Sequence, residues 1–335
     1  MNYKQIKENL DINGYCIIHN ILNPNEIFIA KELFYEWYNS IPNLDNLHKK
    51  IDPHGIFKFH QSGHQEFAWY LRTKPQIIDL FANIWNTTQD NLTCSFDGSC
   101  YIPDNTICNT KCWTHTDQAP KETDLICYQG FVSLTNNKNN TLMLYKNSHK
   151  LHQSYFVNKE KILQQEVTLI KEQIKNLQQN NDTYIENIKI LETKLSSIKD
   201  KIIKLNKDKS KNWQLIDPSF LDTIIDNKII LNIPAGSFVL WDSRTFHQNI
   251  VSNKNEERIV QYICMLPKTK KYTKAQQKKK IEYFKTLRTT SHWPYPVKVN
   301  SLQPQTYGNP DLLIDYDILP KPNLDKYLDI IKTLL

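Results

Sequence analysis

The segment Trp113-Thr-His-Thr-Asp117 sets His115 and Asp117 two residues apart. In an extended segment residues i and i+2 project to one face, so this imidazole and carboxylate make two arms of a metal site. Alone the pair is weak evidence, because His-x-Asp recurs by chance and a surface turn is the plainer reading. A second segment runs Ile233-Pro-Ala-Gly-Ser-Phe-Val-Leu-Trp-Asp-Ser-Arg-Thr-Phe-His247. It reads as a Pro-Gly turn, an apolar strand, a polar turn and a strand-like segment bearing His247. Eleven residues later stands Arg258, opening Arg-Ile-Val-Gln-Tyr. Two imidazoles and one carboxylate with open coordination positions are the facial ligand set of non-haem Fe(II) oxygenases. Such enzymes that bind 2-oxoglutarate at two open positions need a buried cation for its distal carboxylate, and Arg does this bidentately. Cys108 and Cys112 suggest zinc only faintly, since no second pair stands at ligand spacing.

Three zones of the chain must position these residues. Residues 1–158 and 213–335 mix short apolar runs with turn residues and read as one discontinuous domain. Asp11–Leu22 reads as a strand after a Gly turn. Pro24–Asn39 reads as a helix with Asn23 as N-cap and Pro24 at its first position, and Pro75–Asn86 as another. Strand-like runs follow at Leu92–Ile102, Leu125–Leu134, Thr141–Tyr145, Lys228–Ile233, Ser237–Trp241 and Ile259–Leu266. The fold class expected is α+β, helices first and then a jelly-roll. Residues 159–212 differ: they contain no Pro, Gly or Cys and are dense in Lys, Glu, Gln and Ile. From Leu163 through Ile170, Ile174, Leu177, Asn181, Tyr184 and Ile198 to Leu205, apolar positions recur in steps of four and three. That is a coiled-coil-like heptad seam. Thr183 with Glu186 also matches a capping box. The seam reads either as one helix of about 63 Å, pairing with a second copy in a homo-oligomer, or as an antiparallel hairpin turning near 180–182. The hairpin is favoured, because an insertion must return to where it left the domain.

The order His-x-Asp, a distant His, then Arg eleven residues on resembles the phytanoyl-CoA dioxygenase family. His115-Thr-Asp117-Gln118, Tyr128-Gln-Gly-Phe-Val-Ser-Leu134, Asn147-Ser-His-Lys150, Trp241-Asp-Ser-Arg-Thr-Phe-His247 and Arg258-Ile-Val-Gln-Tyr262 fall in family order. So does Asp11-Ile-Asn-Gly-Tyr15, and Arg288-Thr-Thr-Ser-His-Trp-Pro294 is similar to a subgroup of members. The resemblance covers most of 8–158 and 213–300 and leaves the helical zone out. It implies a double-stranded β-helix core with flanking N-terminal helices, and Fe(II), 2-oxoglutarate and O2 as cofactors. It implies that His115, Asp117 and His247 are the catalytic iron ligands and that Arg258 anchors 2-oxoglutarate. Gln129 stands beside the site, as a contact of 2-oxoglutarate or substrate or, equally, in a rim hydrogen bond. Lys146-Asn-Ser-His149 departs from the family's Pro-Gly-Ser-His. His149 is expected to cap a turn, Asp242 and Arg244 to pair, and Trp113 to pack beside the site.

The expected activity is hydroxylation of an unidentified small-molecule or acyl substrate. The substrate does not transfer with the fold. The competing reading is an interaction protein that uses 159–212, with the metal-binding roll as support. Aromatics at 11% are too many for a disordered chain, and no run of 18 apolar residues suggests a membrane span. The charged start, without an apolar stretch, and an odd count of seven Cys fit a cytoplasmic protein with reduced thiols. A net charge of +7 is too mild for a nucleic-acid footprint. The basic run Lys268–Lys280 reads as a solvated helix face, with an anion-binding patch as the alternative.

Overall fold

Helix caps fix the N-terminal third of the chain, which is seen here in a computed structural model describing residues 1–106, 111–179, 184–299 and 301–335. α1 (Tyr3–Asn13) ends at Gly14, whose φ of +81° is the left-handed conformation that terminates a helix. A side chain at Gly14 would strike the His149 ring, so two reasons demand glycine there. This corrects the strand expected over Asp11–Leu22: only β1 (Tyr15–Ile18) is extended, and Asp11–Asn13 close the helix. Ile6 and Leu10, four apart, bury one face of α1, and that face outweighs the strand propensity that begins only at Tyr15. α2 (Pro24–Ser40) starts as expected, with a reciprocal capping box between Asn23 and Glu26 behind Pro24. α3 (Leu44–Ile51), β2 (Ile56–Phe57), α4 (Glu66–Arg72) and α5 (Pro75–Ile84) follow.

The remaining elements are β3 (Leu92–Cys94), β4 (Ser99–Ile102), β5 (His115–Thr116), β6 (Tyr128–Ser133), β7 (Thr141–Tyr145), α6 (Ser148–Gln178), α7 (Ile185–Asp208), β8 (Gln214–Leu215), α8 (Pro218–Thr223), β9 (Lys228–Ile230), β10 (Phe238–Asp242), β11 (His247–Ile250), β12 (Arg258–Tyr262), β13 (Met265–Pro267), α9 (Lys274–Lys285) and α10 (Leu328–Leu334). One antiparallel sheet has the order β1-β10-β6-β12-β4-β2, and a second has the order β8-β5-β11-β7-β9. From β4 to β12 the chain passes back and forth between the two, which is jelly-roll connectivity. Period-two alternation builds the interior. Phe131 of β6, Leu142 and Leu144 of β7, Val239 and Trp241 of β10 and Val260 of β12 share one apolar cluster between the sheets. Phe238 and Leu240 point the other way, into the larger core shared with the N-terminal helices.

α6 and α7 lie side by side and antiparallel. Glu160 meets Lys209 at 2.9 Å, and Glu166 meets Lys194 at 3.7 Å. Ile170 and Ile198 of the heptad seam are buried between them, while Ile162, Leu169 and Ile190 off the seam are exposed. Asn181 and Thr183, the polar seam member and the expected cap, lie outside the described residues. α6 begins at Ser148, so Tyr155 and Phe156 belong to the roll's core and the helix runs unbroken past residue 159. Asn147, the departure noted in Lys146–His149, takes φ +63°, a conformation Asn tolerates better than most residues. Lys280, read as solvated, is fully buried in α9, with its ammonium on Thr93 Oγ1 and the Cys94 carbonyl. Among the described residues no helix is long and apolar enough to cross a membrane.

Candidate metal centre and its cavity

β5 and β11 are neighbours, and their register sets His115 opposite His247. Each imidazole is aimed by its own backbone. His115 Nδ1 lies 3.0 Å from the Trp113 carbonyl, and His247 Nδ1 lies 2.9 Å from the Thr245 carbonyl. A carbonyl only accepts, so Nδ1 carries the proton and the Nε2 lone pair is left for a metal. Asp117 Oδ1 is 3.7 Å from His115 Nε2, and Oδ2 is 3.3 Å from His247 Nε2. All three donor atoms fall within 4.8 Å of one another and all three residues are buried. Cis ligands of an octahedral ion with bonds near 2.1 Å sit about 3 Å apart, so small side-chain shifts close the shell. Burial pushes His115 down to about 4. Burial alone would raise the Asp117 carboxyl, but the imidazoles of His115, His292 and His247 hold it well below the usual carboxylate range. A neutral imidazole at His115 and an ionised carboxylate at Asp117 are the ligand forms a metal requires, and the donor set fits Fe(II).

Gln129 touches the site through Asp117: its Nε2 donates to Oδ2 at 2.8 Å. A carboxylate only accepts, so the amide orientation is fixed, and Gln129 Oε1 stays buried without a partner among the described residues. Arg258 opens β12 on the same face as Val260 and Tyr262. It is 0% exposed, its guanidinium lies 5.4 Å from the Phe131 ring, and Nε, Nη1 and Nη2 all lack hydrogen-bond partners among the described residues. A buried cation without an anion is strongly unfavourable. The arrangement fits a carboxylate-bearing cosubstrate. Tyr262 joins Arg258's face to the triad's, for its hydroxyl accepts from Asn249, two residues beyond His247.

A cavity of about 630 Å³ includes the triad in its lining. Trp113 stacks on His115 at 4.8 Å and on His54 at 3.9 Å, and its indole N–H donates to the Asn249 carbonyl. It packs beside the site and is tied to it. His54, Asp97 and His292 also line the cavity, and sequence reasoning did not select them. His292 stood inside the Arg288–Pro294 motif, which was the available signal; its Nε2 is shielded and has no partner among the described residues. Burial pushes the Asp97 carboxyl up to about 7, against the pull of Arg72. Lys58, Lys211 and Lys298 add positive charge to the lining. Away from the cavity, Arg244 pairs with Asp242 at 2.7 Å and reaches the Thr123 carbonyl, and His149 Nε2 donates to the Asp11 carbonyl of α1 at 3.0 Å. Cys112 is a free exposed thiol, and Cys108 lies outside the described residues.

An antiparallel β-roll with two imidazoles and a carboxylate converging inside it is an arrangement that could hold one metal ion. No protein-family model matches the chain. It is 25% identical over 293 residues to Ava biosynthesis cluster protein O of Aspergillus versicolor, a span of 83% of this chain and 82% of that one. Its fold is similar to that of GlcNAc Inducible Gene 2 of Candida albicans, with a TM-score of 0.50, 14% identity, and coverage of 80% of this chain and 64% of that one. EctD from S. alaskensis, solved with 2-oxoglutarate and 5-hydroxyectoine, aligns at a TM-score of 0.46 and 12% identity over 79% of this chain and 75% of that one.

Proposed function

We propose that the chain is a non-haem Fe(II)- and 2-oxoglutarate-dependent oxygenase of the phytanoyl-CoA dioxygenase type, hydroxylating a small-molecule substrate. The observation that carries this reading is Arg258, fully buried with three unpaired nitrogens, in a roll whose inner face also presents His115, Asp117 and His247. A metal-binding roll without a carboxylate-bearing cosubstrate has no use for that cation. His115, Asp117 and His247 would hold Fe(II). With 2-oxoglutarate and O2, the bound metal supplies oxidative decarboxylation coupled to oxidation of a C–H bond.

The protein's own residues do the rest. Arg258 binds the distal carboxylate in a bidentate fork. Gln129 holds Asp117 in its ligating rotamer through the 2.8 Å bond. Trp113 and Trp241 wall the cavity with indole and keep water from the reacting centre. His292 offers an unpartnered imidazole nitrogen at the same cavity, placed to orient a polar substrate group.

The test is anaerobic titration of the purified chain with Fe(II) and 2-oxoglutarate, followed by exposure to O2 and measurement of succinate. Slow Fe(II)-dependent succinate formation without substrate is expected, and its stimulation screens candidate substrates. Absence of 2-oxoglutarate binding in the Fe(II)-loaded protein overturns the proposal.

A further inference from the structure

A second cavity, of about 820 Å³, lies where α6 and α7 meet the roll. Ile162 and Leu163 of α6, Leu205 of α7 and Phe220 of α8 give it an apolar lining. Lys211, Trp213 and Leu215 line both this cavity and the one that contains the triad. That shared wall is rooted at the metal centre. β8 pairs with β5, Leu215 stands opposite His115, and the Trp213 ring lies 5.5 Å from the His115 ring. Trp213 and Leu215 are nevertheless 50% and 49% exposed, and Ile162 is 58% exposed. Large apolar side chains gathered and left open around one hollow mark a binding surface.

Charge narrows the occupant. Lys159, Lys201, Lys204 and Lys211 border the cavity with Asp208 and Asp217. Both carboxylates are already engaged, Asp208 by Lys211 at 2.6 Å and Asp217 by Lys159 at 2.9 Å. Lys201 and Lys204 have no ion pair among the described residues.

We propose that this second cavity binds the distal part of an elongated amphiphile, with an apolar body and an anionic group, whose other end passes Trp213 to reach the metal centre. The chemistry at that end rests on the oxygenase reading; the binding does not. The helical pair is then a substrate-binding element.

The experiment is isothermal titration of the full-length chain with n-alkyl phosphates of eight, ten and twelve carbons, and with the matching carboxylates and alkanols. Affinity is expected to rise roughly three- to fourfold per added methylene, from about 0.8 kcal/mol per buried CH2. Both anionic series should bind at least tenfold more tightly than the alkanols. A phosphate preference would name a phosphate ester, and a carboxylate preference an acid. Leu205→Trp, which fills the hollow, should weaken the twelve-carbon anions at least tenfold. Lys201→Glu with Lys204→Glu should weaken the anions and spare the alkanols. Fe(II) and 2-oxoglutarate affinities, measured on the same variants, report the metal centre separately. Affinity independent of chain length, or untouched by Leu205→Trp, overturns the proposal even where 2-oxoglutarate turnover is intact.

Discussion

Replacing Arg258 with Met separates a ligand-binding cation from a structural one, because the two roles predict opposite signs. In the ligand-free protein the guanidinium is 0% exposed and, among the described residues, all three of its nitrogens lack hydrogen-bond partners, with the Phe131 ring 5.4 Å away. Orphaned buried donors cost about 1–3 kcal/mol. Met has similar length and no donors, so Arg258→Met should leave the ligand-free protein as stable as the parent or more stable by about that amount. With 2-oxoglutarate the sign reverses. A charge-assisted bidentate pair is worth about 1.5–3 kcal/mol, so the cosubstrate Kd should rise roughly 10- to 150-fold. At a concentration of 100 times the parent Kd, 2-oxoglutarate stabilises the parent by about 2.7 kcal/mol. For a variant weakened 100-fold, the same concentration gives only about 0.4 kcal/mol. Urea unfolding of the Mn(II)-loaded proteins, with and without 2-oxoglutarate, reads both numbers. Arg258→Lys should recover part of the affinity, since Lys carries the charge without the planar fork. A variant that is less stable without ligand and unchanged in its response to 2-oxoglutarate would refute the reasoning.

Four further outcomes are expected. His115→Ala should lose stoichiometric Fe(II) binding by chelator competition, and retention of one tight iron would remove His115 from the ligand set. Gln129→Leu removes the 2.8 Å side-chain donor to Asp117 and should weaken Fe(II) about 10- to 100-fold while leaving the fold intact. Replacing residues 167–193 with four Gly/Ser residues, just beyond the Glu166–Lys194 contact, should leave a folded protein with unchanged Fe(II) affinity; insolubility would place the outer helices in the core. Acid should destabilise the metal-free protein. Burial lowers His64 to about 3 and His60 to about 4, so below about pH 6.5 the unfolded chain binds protons that the folded chain refuses. Stability then falls as pH falls, by roughly 3 kcal/mol per pH unit for the two together down to about pH 4, and urea midpoints flat from pH 6.5 to 5 would contradict it.

Local signals carried much of this architecture. Asn23 and Pro24 announced α2, Pro75 announced α5, and the bounds of β7 could be read from Thr141–Tyr145. The heptad steps placed Ile170 and Ile198 on the inward face of the helical pair. What was illegible depends on partners far away in sequence. The apolar run Ile259–Leu266 reads as one strand, yet it pairs first with β4 and β6 and then, as β13, with β3, so it breaks between Tyr262 and Met265. Lys280 looks like its neighbouring lysines, and only the Thr93 hydroxyl and Cys94 carbonyl, some 186 residues away, distinguish it. Asp97 has no motif at all. It reaches the cavity at the entry to β4, and the buried Arg72 holds its carbonyl, a contact made by tertiary folding alone.

The helical zone shows how a decision left open by periodicity is made by a sheet edge. Steps of four and three are compatible with one long helix or two short ones, because both satisfy the same seam. The edge of the second sheet is not compatible with both. β5, the strand carrying His115, has β11 on one side and would otherwise expose its remaining backbone groups at a buried metal centre. β8 covers that edge: it pairs with β5, and Ile216 N donates to the Thr114 carbonyl at 2.9 Å. Lys121 N takes the Lys209 carbonyl at 3.1 Å, tying the end of α7 to the loop that follows Asp117. The chain must therefore come back from α7 to within hydrogen-bonding distance of the ligand strand, a few residues after leaving the helix. A through-going helix of about 63 Å would deliver it to the wrong place. The return strand is thus part of the metal centre's scaffold, and the helices beyond it are free to vary in length so long as Lys209 comes home.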